Sequence, residues 1–371
     1  MTPMDRRLLV HMNWVLLGLT ALLFGLGVLN LYSAGQFRME GGMSVTPHYQ
    51  KQLVWGLLGL GVMVFAMLFD YRRLKTLAWP LFVLTAGLLI TVLVAGKTSL
   101  GARRWLDLGF ITFQPSEAAK ISILILGARL LAREHGKLGA GPLATILSAG
   151  MALALLIVLE PDLGSGLSIM LLLGGMVLYR GLTGRVLKSL LVAAPFVLAG
   201  GWFILHDYQK RRILGFLNPA DDPLGAGYHI IQSQIAIGSG RFWGKGFLGG
   251  TQSHLRFLPE KHTDFAVAVF SEEWGFVGSM LLLTLFCALL YQLVVIAREA
   301  KDPFGSFLAA GVFFYFFWQI LINTGMVLGL MPVVGIPLPF LSYGGSATLV
   351  NFCLIGIALN VSMRRYIFKQ A

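Results

Sequence analysis

Residues 274–297 read WGFVGSMLLLTLFCALLYQLVVIA, a stretch without one acidic or basic side chain. A hydrocarbon core about 30 Å thick is crossed by about 20 helical residues, because each advances the chain by about 1.5 Å. Glu272 and Glu273 precede the run and Arg298 follows it, so its limits are sharp. A surface helix of a soluble protein would carry a polar face here. The stretch therefore predicts a membrane-spanning helix.

Runs of the same kind recur at 14–32, 53–69, 77–96, 115–132, 143–159, 164–179, 189–205, 306–329 and 346–363. The expected fold is an all-α membrane protein, a polytopic bundle of about ten transmembrane helices forming a single unit over residues 1–371. Composition agrees, with 56% hydrophobic and only 12% charged residues, where a soluble chain has about 25% charged. A mean hydropathy of +0.76 leaves too little polar surface for a soluble globular enzyme. The first run follows Arg6 and Arg7 as a signal peptide would, but it is too long for a typical signal core and predicts a retained helix. Cys287 and Cys353 both fall in apolar runs, which predicts packing side chains and neither a disulfide frame nor a metal cluster.

The formal net charge is +12. An even number of spans puts both termini on one side. With that side cytoplasmic, sixteen Lys and Arg fall in inner segments and only Arg38, Lys51, Lys97, Arg103 and Arg104 in short outer loops, as the positive-inside rule requires. Lys210, Arg211, Arg212, Arg241, Lys245, Arg256 and Lys261 fall in one long outer segment, about 206–264. Loops of that length are functional or disordered. Trp243, Phe247, Leu255 and Phe257 argue for order.

That loop ends LPEKHTDF, Leu258 to Phe265, directly before an apolar stretch. Thr263 or Asp264 could cap the following helix, and Asp264 could equally serve as general base on a membrane-bound hydroxyl. Lys210, Arg211 and Arg212 suit a phosphate or pyrophosphate, or they snorkel to lipid headgroups. Tyr228, Ile231 and Ile235 predict a short amphipathic helix in the interface plane. Gly238–Arg241 and Gly244–Gly246 match neither a dinucleotide fingerprint nor a P-loop, which excludes a soluble-nucleotide site. His206, His229, His254 and His262 lack metal-ligand spacing.

Within the spans, Glu117 and Lys120 stand at i and i+3, where one charge offsets the burial of the other. Glu160, Asp162, Glu272 and Glu273 are further acids at or near the membrane, in structural pairs or in function. Residues 331–346, MPVVGIPLPFLSYGGS, carry three prolines and no charge. They predict a re-entrant-like loop buried in protein or lining a cavity.

Taken in order, Arg104-Trp105-Leu106, Gln114 to Glu117, Pro161 to Gly164, Pro259 to Asp264, Glu272-Glu273 and Pro337 to Gly345 resemble the SEDS family (shape, elongation, division and sporulation) of bacterial cell-wall glycan polymerases. The resemblance covers nearly the whole chain, and Gly246 to Ser253 favours the rod-shape branch over the division branch. Glu160 departs from it, since relatives often carry Gln there. It implies a peptidoglycan glycosyltransferase that joins lipid II units outside the bacterial cytoplasmic (inner) membrane during cell-wall elongation. Lipid II is the undecaprenyl-pyrophosphate-linked substrate. The implied partners are a class B penicillin-binding protein transpeptidase and other elongation-complex membrane proteins, with no nucleic acid. No cofactor is required, although a divalent cation could sit at the pyrophosphate.

The family's essential aspartate corresponds to Asp264, and its intramembrane polar groups to Glu117 and Lys120, with Glu273 as a further acid. Arg212 is the leading candidate for the pyrophosphate, followed by Lys210, Arg211 and Lys245. Arg104, Trp105, His262 and Thr263 complete the expected substrate-binding set. The alternative is a lipid II flippase, which the intramembrane acids and Lys120 would suit. A transporter needs polar groups near midplane more than a base on an outer loop, so the placement of cations and Asp264 favours the enzyme.

Overall fold

The structure, a computed structural model, describes residues 10–35, 47–99, 102–107, 109, 112–204, 207–218, 226–254, 258 and 260–365. Arg6, Arg7, Arg38, His206, Leu255, Arg256, Phe257 and Pro259 lie outside the described residues. The elements run α1 (Trp14–Gly35), α2 (His48–Leu68), α3 (Tyr71–Ala95), β1 (Lys97–Ser99), β2 (Ala102–Asp107), β3 (Thr112–Phe113), α4 (Pro115–Arg133), α5 (Ala140–Leu159) and α6 (Leu163–Arg180). Then follow α7 (Gly184–Ile204), α8 (Asp207–Leu217), α9 (Ala226–Ser239), α10 (Thr251–His254), α11 (Ala266–Glu299), α12 (Pro303–Val327) and α13 (Gly345–Arg364).

Among the described residues, nine helices are long and apolar enough to cross a membrane. The chain is a multi-pass membrane protein. The remaining expected span, 115–132, is α4, a full-length helix that is less apolar because it carries Glu117 and Lys120. It packs against α3, α5, α6, α12 and α13, so protein rather than lipid surrounds its polar groups. By contrast α7 is exposed along its described length except at Val186 and Gly201, and stands apart from the bundle.

The expected helical bundle is present with one small addition, since β1, β2 and β3 form an antiparallel sheet with Thr98 opposite Arg103 and Leu106 opposite Phe113. The short helix expected around Tyr228, Ile231 and Ile235 exists as α9; it packs on α11 and buries Ile230, Ser233 and Ala236, while Ile235 stays exposed. Its Ser233 hydroxyl donates to the Val327 carbonyl at 2.7 Å.

The run 274–297 is only part of α11. The helix begins at Ala266, and its backbone breaks at Gly275, where φ is 63° and ψ −161°. A side chain there would lie 2.2 Å from the Gly244 nitrogen, so glycine is required on both counts. The freed groups bond the glycine-rich segment. Lys245 N donates to Glu272 O at 3.1 Å and Gly246 N to Glu273 O at 3.0 Å. In return Phe276 N donates to Arg241 O at 2.9 Å. A broken helix survives at this depth because protein satisfies it.

Connectors alternate between the two ends of the bundle. The sheet, the α5–α6 turn, the α7–α11 segment and the α12–α13 loop share one end. The connectors at Asp70, Glu134, Gly181 and Ala300 share the other.

Candidate active site

Four connectors at one end close on a cavity of about 560 Å³. From β2 come Arg104 and Trp105, and from the first turns of α4 come Gln114, Glu117 and Lys120. Asp162 precedes α6, Arg212 comes from α8, and Thr263 and Asp264 stand just before α11. Gly335 to Pro337 and Tyr343 to Ala347 supply the last wall, with Trp55 of α2 beside them.

The floor is the Glu117–Lys120 pair. Lys120 Nζ donates to Glu117 Oε1 at 2.6 Å with both side chains buried, and lies 6.0 Å from the ring centroid of Tyr315. Pro115 opens α4 where its missing N–H costs nothing, and Glu117 in the first turn meets the positive end of the helix dipole. Asp162 caps α6 by accepting from Ser165 N at 3.1 Å, and its other oxygen accepts from Gln114 Nε2 at 3.3 Å. Arg104 donates to the carbonyls of Glu160 and Pro161.

The Pro/Gly loop is buried and lines the cavity. Leu338, Phe340, Leu341 and Ser342 are inaccessible or nearly so. Buried Gln52 on α2 ties the loop down, donating to the Thr348 hydroxyl at 3.0 Å and accepting from Gly344 N at 3.4 Å.

Asp264 does not cap α11, and neither does Thr263. The N-cap position is Phe265 without a side-chain hydrogen bond, and the Thr263 hydroxyl turns to Glu260 Oε2 at 3.0 Å. No hydrogen bond to the Asp264 carboxylate is made by the described residues, and the group faces the cavity. Its pKa is pushed up to about 6, first by burial, then by the charges of Glu260 and Asp162, with Arg212 opposing. Glu160, buried without a hydrogen bond to either carboxyl oxygen, is pushed up to about 8 by burial and by Asp162, against Arg104.

Of the residues expected from sequence, Asp264, Thr263, Arg212, Arg104, Trp105, Glu117 and Lys120 share the cavity wall. Lys210 and Arg211 precede Arg212 on α8, and at about 100° per residue they point elsewhere. Lys245 is occupied at the break in α11, where its Nζ meets Glu272 Oε1 at 2.6 Å while the same oxygen accepts from Thr251 N and Gln252 N. Glu273 accepts from the Ser33 hydroxyl of α1. His262 stacks on His48 at 4.4 Å between centroids, behind the wall. Trp55 and Asn323 were not singled out from sequence. The available signal for Asn323 was one amide near the end of an apolar span.

Comparison with known proteins follows this geometry. A family profile described as cell cycle protein, covering FtsW, RodA and SpoVE, matches residues 13–367. The peptidoglycan glycosyltransferase MrdB of Escherichia coli (strain K12) is 42% identical over 323 residues, covering 85% of each chain. The probable peptidoglycan glycosyltransferase FtsW of Geobacter sp. (strain M18) is 36% identical over 95% of this chain and 97% of its own. Among solved structures, one chain of a peptidoglycan synthase complex, described as coordinating polymerization and crosslinking, superposes with a TM-score of 0.81 at 32% identity, covering 96% of this chain and 99% of that one. The rod shape determining protein RodA of Thermus thermophilus superposes with a TM-score of 0.69 at 29% identity, covering 96% and 98%.

Proposed function

This chain belongs to the FtsW, RodA and SpoVE family, and from that premise we propose that its cavity is where a peptidoglycan glycosyltransferase joins lipid II units into glycan strands. The observation that carries the reading is that Asp264, Arg212 and Arg104 line one cavity at the end of an otherwise apolar bundle. The acceptor hydroxyl gives its proton to the Asp264 carboxylate as its oxygen attacks the anomeric carbon of the donor sugar. The bond from that carbon to the pyrophosphate breaks, and undecaprenyl pyrophosphate leaves with the electron pair. Attack from the face opposite the leaving group inverts the anomeric centre.

Arg212 and Arg104 stand where the departing pyrophosphate gathers charge, and preorganised cations do most for a developing anion in a site shielded from water. Trp55 and Trp105 offer flat apolar faces to the sugar rings. The cavity lies at the end opposite the basic connectors, and by the positive-inside rule this supports a site outside the cytoplasmic membrane with both termini in the cytoplasm. Polymer made there is the substrate of a crosslinking enzyme, and a class B penicillin-binding protein transpeptidase is the proposed partner.

The test is purified protein given lipid II in detergent, where sidedness is absent. Glycan strands are expected without any vesicle. Flipping in sealed vesicles without polymer would overturn the reading. The same assay reads the base. Asp264 accepts a proton only when ionised, so the rate should hold above about pH 7 and fall tenfold per unit below its midpoint near 6. A flat profile between pH 5 and 8 contradicts a carboxylate base at this position. For the anion site, Arg212→Ala is expected to slow strand formation on the order of 10²-fold, while Arg211→Ala stays near wild type. Equal effects of the two would remove Arg212 from the cavity chemistry.

A further inference from the structure

Asn323 lies in the last turns of α12 with 0% exposure. A polar amide buried at the heart of a membrane bundle is costly unless bonded, so its partners are informative. Its Nδ2 donates to the main-chain oxygen of Asp264 at 3.0 Å and to that of Ile336 at 2.8 Å. Both amide hydrogens are spent on carbonyl oxygens of two different loops. Turning the amide would set its own oxygen against both, so the orientation follows from chemistry. The remaining atom, Oδ1, is buried and has no partner among the described residues. Donation is what this side chain supplies.

The two carbonyls belong to the two walls that carry the chemistry. One is the backbone of Asp264 itself. The other lies in the turn Val333 to Ile336, where Gly335 has φ +76° and a Cβ added to it would come 3.5 Å from Asp264 Oδ2. The same turn rests on α6, since a side chain at Gly164 would lie 2.4 Å from the Val334 oxygen. Its Val333 oxygen accepts from Arg212 Nη1 at 3.4 Å. Base and anion donor thus share one support, and Asn323 joins that support to the base.

We infer that Asn323 is a positioning residue for the transfer reaction, holding the backbone of Asp264 and the Val333–Ile336 turn at a fixed separation so that the carboxylate and Arg212 face the same reacting centre. The inference rests on Asp264 being the base. The groups that face that carboxylate are Glu260 on its own loop, Asp162 before α6 and Arg212 on α8. With the turn released, water reaches the carboxylate and its proton is held less tightly.

The experiment compares wild type with Asn323→Leu, which has similar volume and no donor, and Asn323→Thr, which keeps one donor. Each is purified as a monodisperse species, and turnover, KM for lipid II and the pH profile are measured per folded molecule. For Asn323→Leu, kcat should fall on the order of 10²-fold, the effect of about a 1 Å misplacement of a reacting group, with KM within about twofold. Its acid midpoint should move down by about one pH unit. Asn323→Thr should lie between the two and serves alone if the Leu variant does not fold. A loss of turnover with the midpoint unmoved would mean a structural amide only and overturns the inference, as would wild-type kinetics in both variants. If wild type itself shows no acid limb, the base assignment fails as well, which separates the two outcomes.

Discussion

Asp264→Asn is expected to lower glycan polymerisation by about 10²–10⁴-fold, the range contributed by a positioned general base, while leaving the protein folded and more stable. Asparagine has the same shape and cannot take the proton of the acceptor hydroxyl. The rate effect is measured with lipid II in detergent, and unchanged polymer from the variant would sink the assignment. The stability effect follows from the raised pKa. Below about pH 3 the carboxyl is protonated in folded and unfolded chains alike, and no penalty exists. As pH rises, the unfolded chain ionises first, and above about 6 the folded chain carries a charge its burial disfavours. The penalty amounts to at most about 3 kcal/mol, since each tenfold displacement of the equilibrium is worth about 1.4 kcal/mol, and less where solvent reaches the group. The variant should therefore melt higher than wild type at pH 8 and at the same temperature at about pH 3. A site whose removal stabilises the fold is one where function, not packing, retains the residue.

Removing one partner of the cavity floor should have the largest effect on stability. Lys120→Met leaves Glu117 buried without its cation, and its Oε2 already has no hydrogen-bond partner among the described residues. Breaking a buried pair in this way costs about 3–5 kcal/mol, whereas replacing both charges by neutral groups of similar volume is close to neutral. Glu117→Gln combined with Lys120→Met should regain most of the lost thermal stability in detergent. If the single and double variants melt together, the pair does not behave as one buried unit. Polymerisation adds a second reading of the same variants. Activity that returns with stability in the double variant marks the pair as scaffold, and activity that stays absent marks it as part of the site.

The spans were legible because a bilayer imposes one simple demand, about 20 apolar residues in a row, and 274–297 met it without ambiguity. Where the demand was relaxed, reading by hydropathy lost detail. It started the longest helix late, at Trp274, because Glu272 and Glu273 interrupt the apolar run, although α11 continues back to Ala266. It missed the sheet at 97–113, whose strands are too short to carry a pattern. Lys210 and Arg211 stood behind Arg212 as weaker candidates, and helical rotation brings only Arg212 to the cavity. Lys245 has the composition of a phosphate ligand and the location of a brace.

What the sequence determined by itself was the solvent of this protein, its helical plan, and the residue types able to do acid, base and anion chemistry, since these depend on local composition and on distances along the chain. Only the tertiary structure decided which of those residues meet. Asp264, Arg212, Arg104 and the Glu117–Lys120 pair come from four connectors or helix ends spread along the chain from 104 to 264, and their convergence depends on how α4 packs against its neighbours. The raised pKa of Asp264 is decided at the same level, because burial and the neighbouring charges of Glu260, Asp162 and Arg212 exist only once those segments are folded against one another.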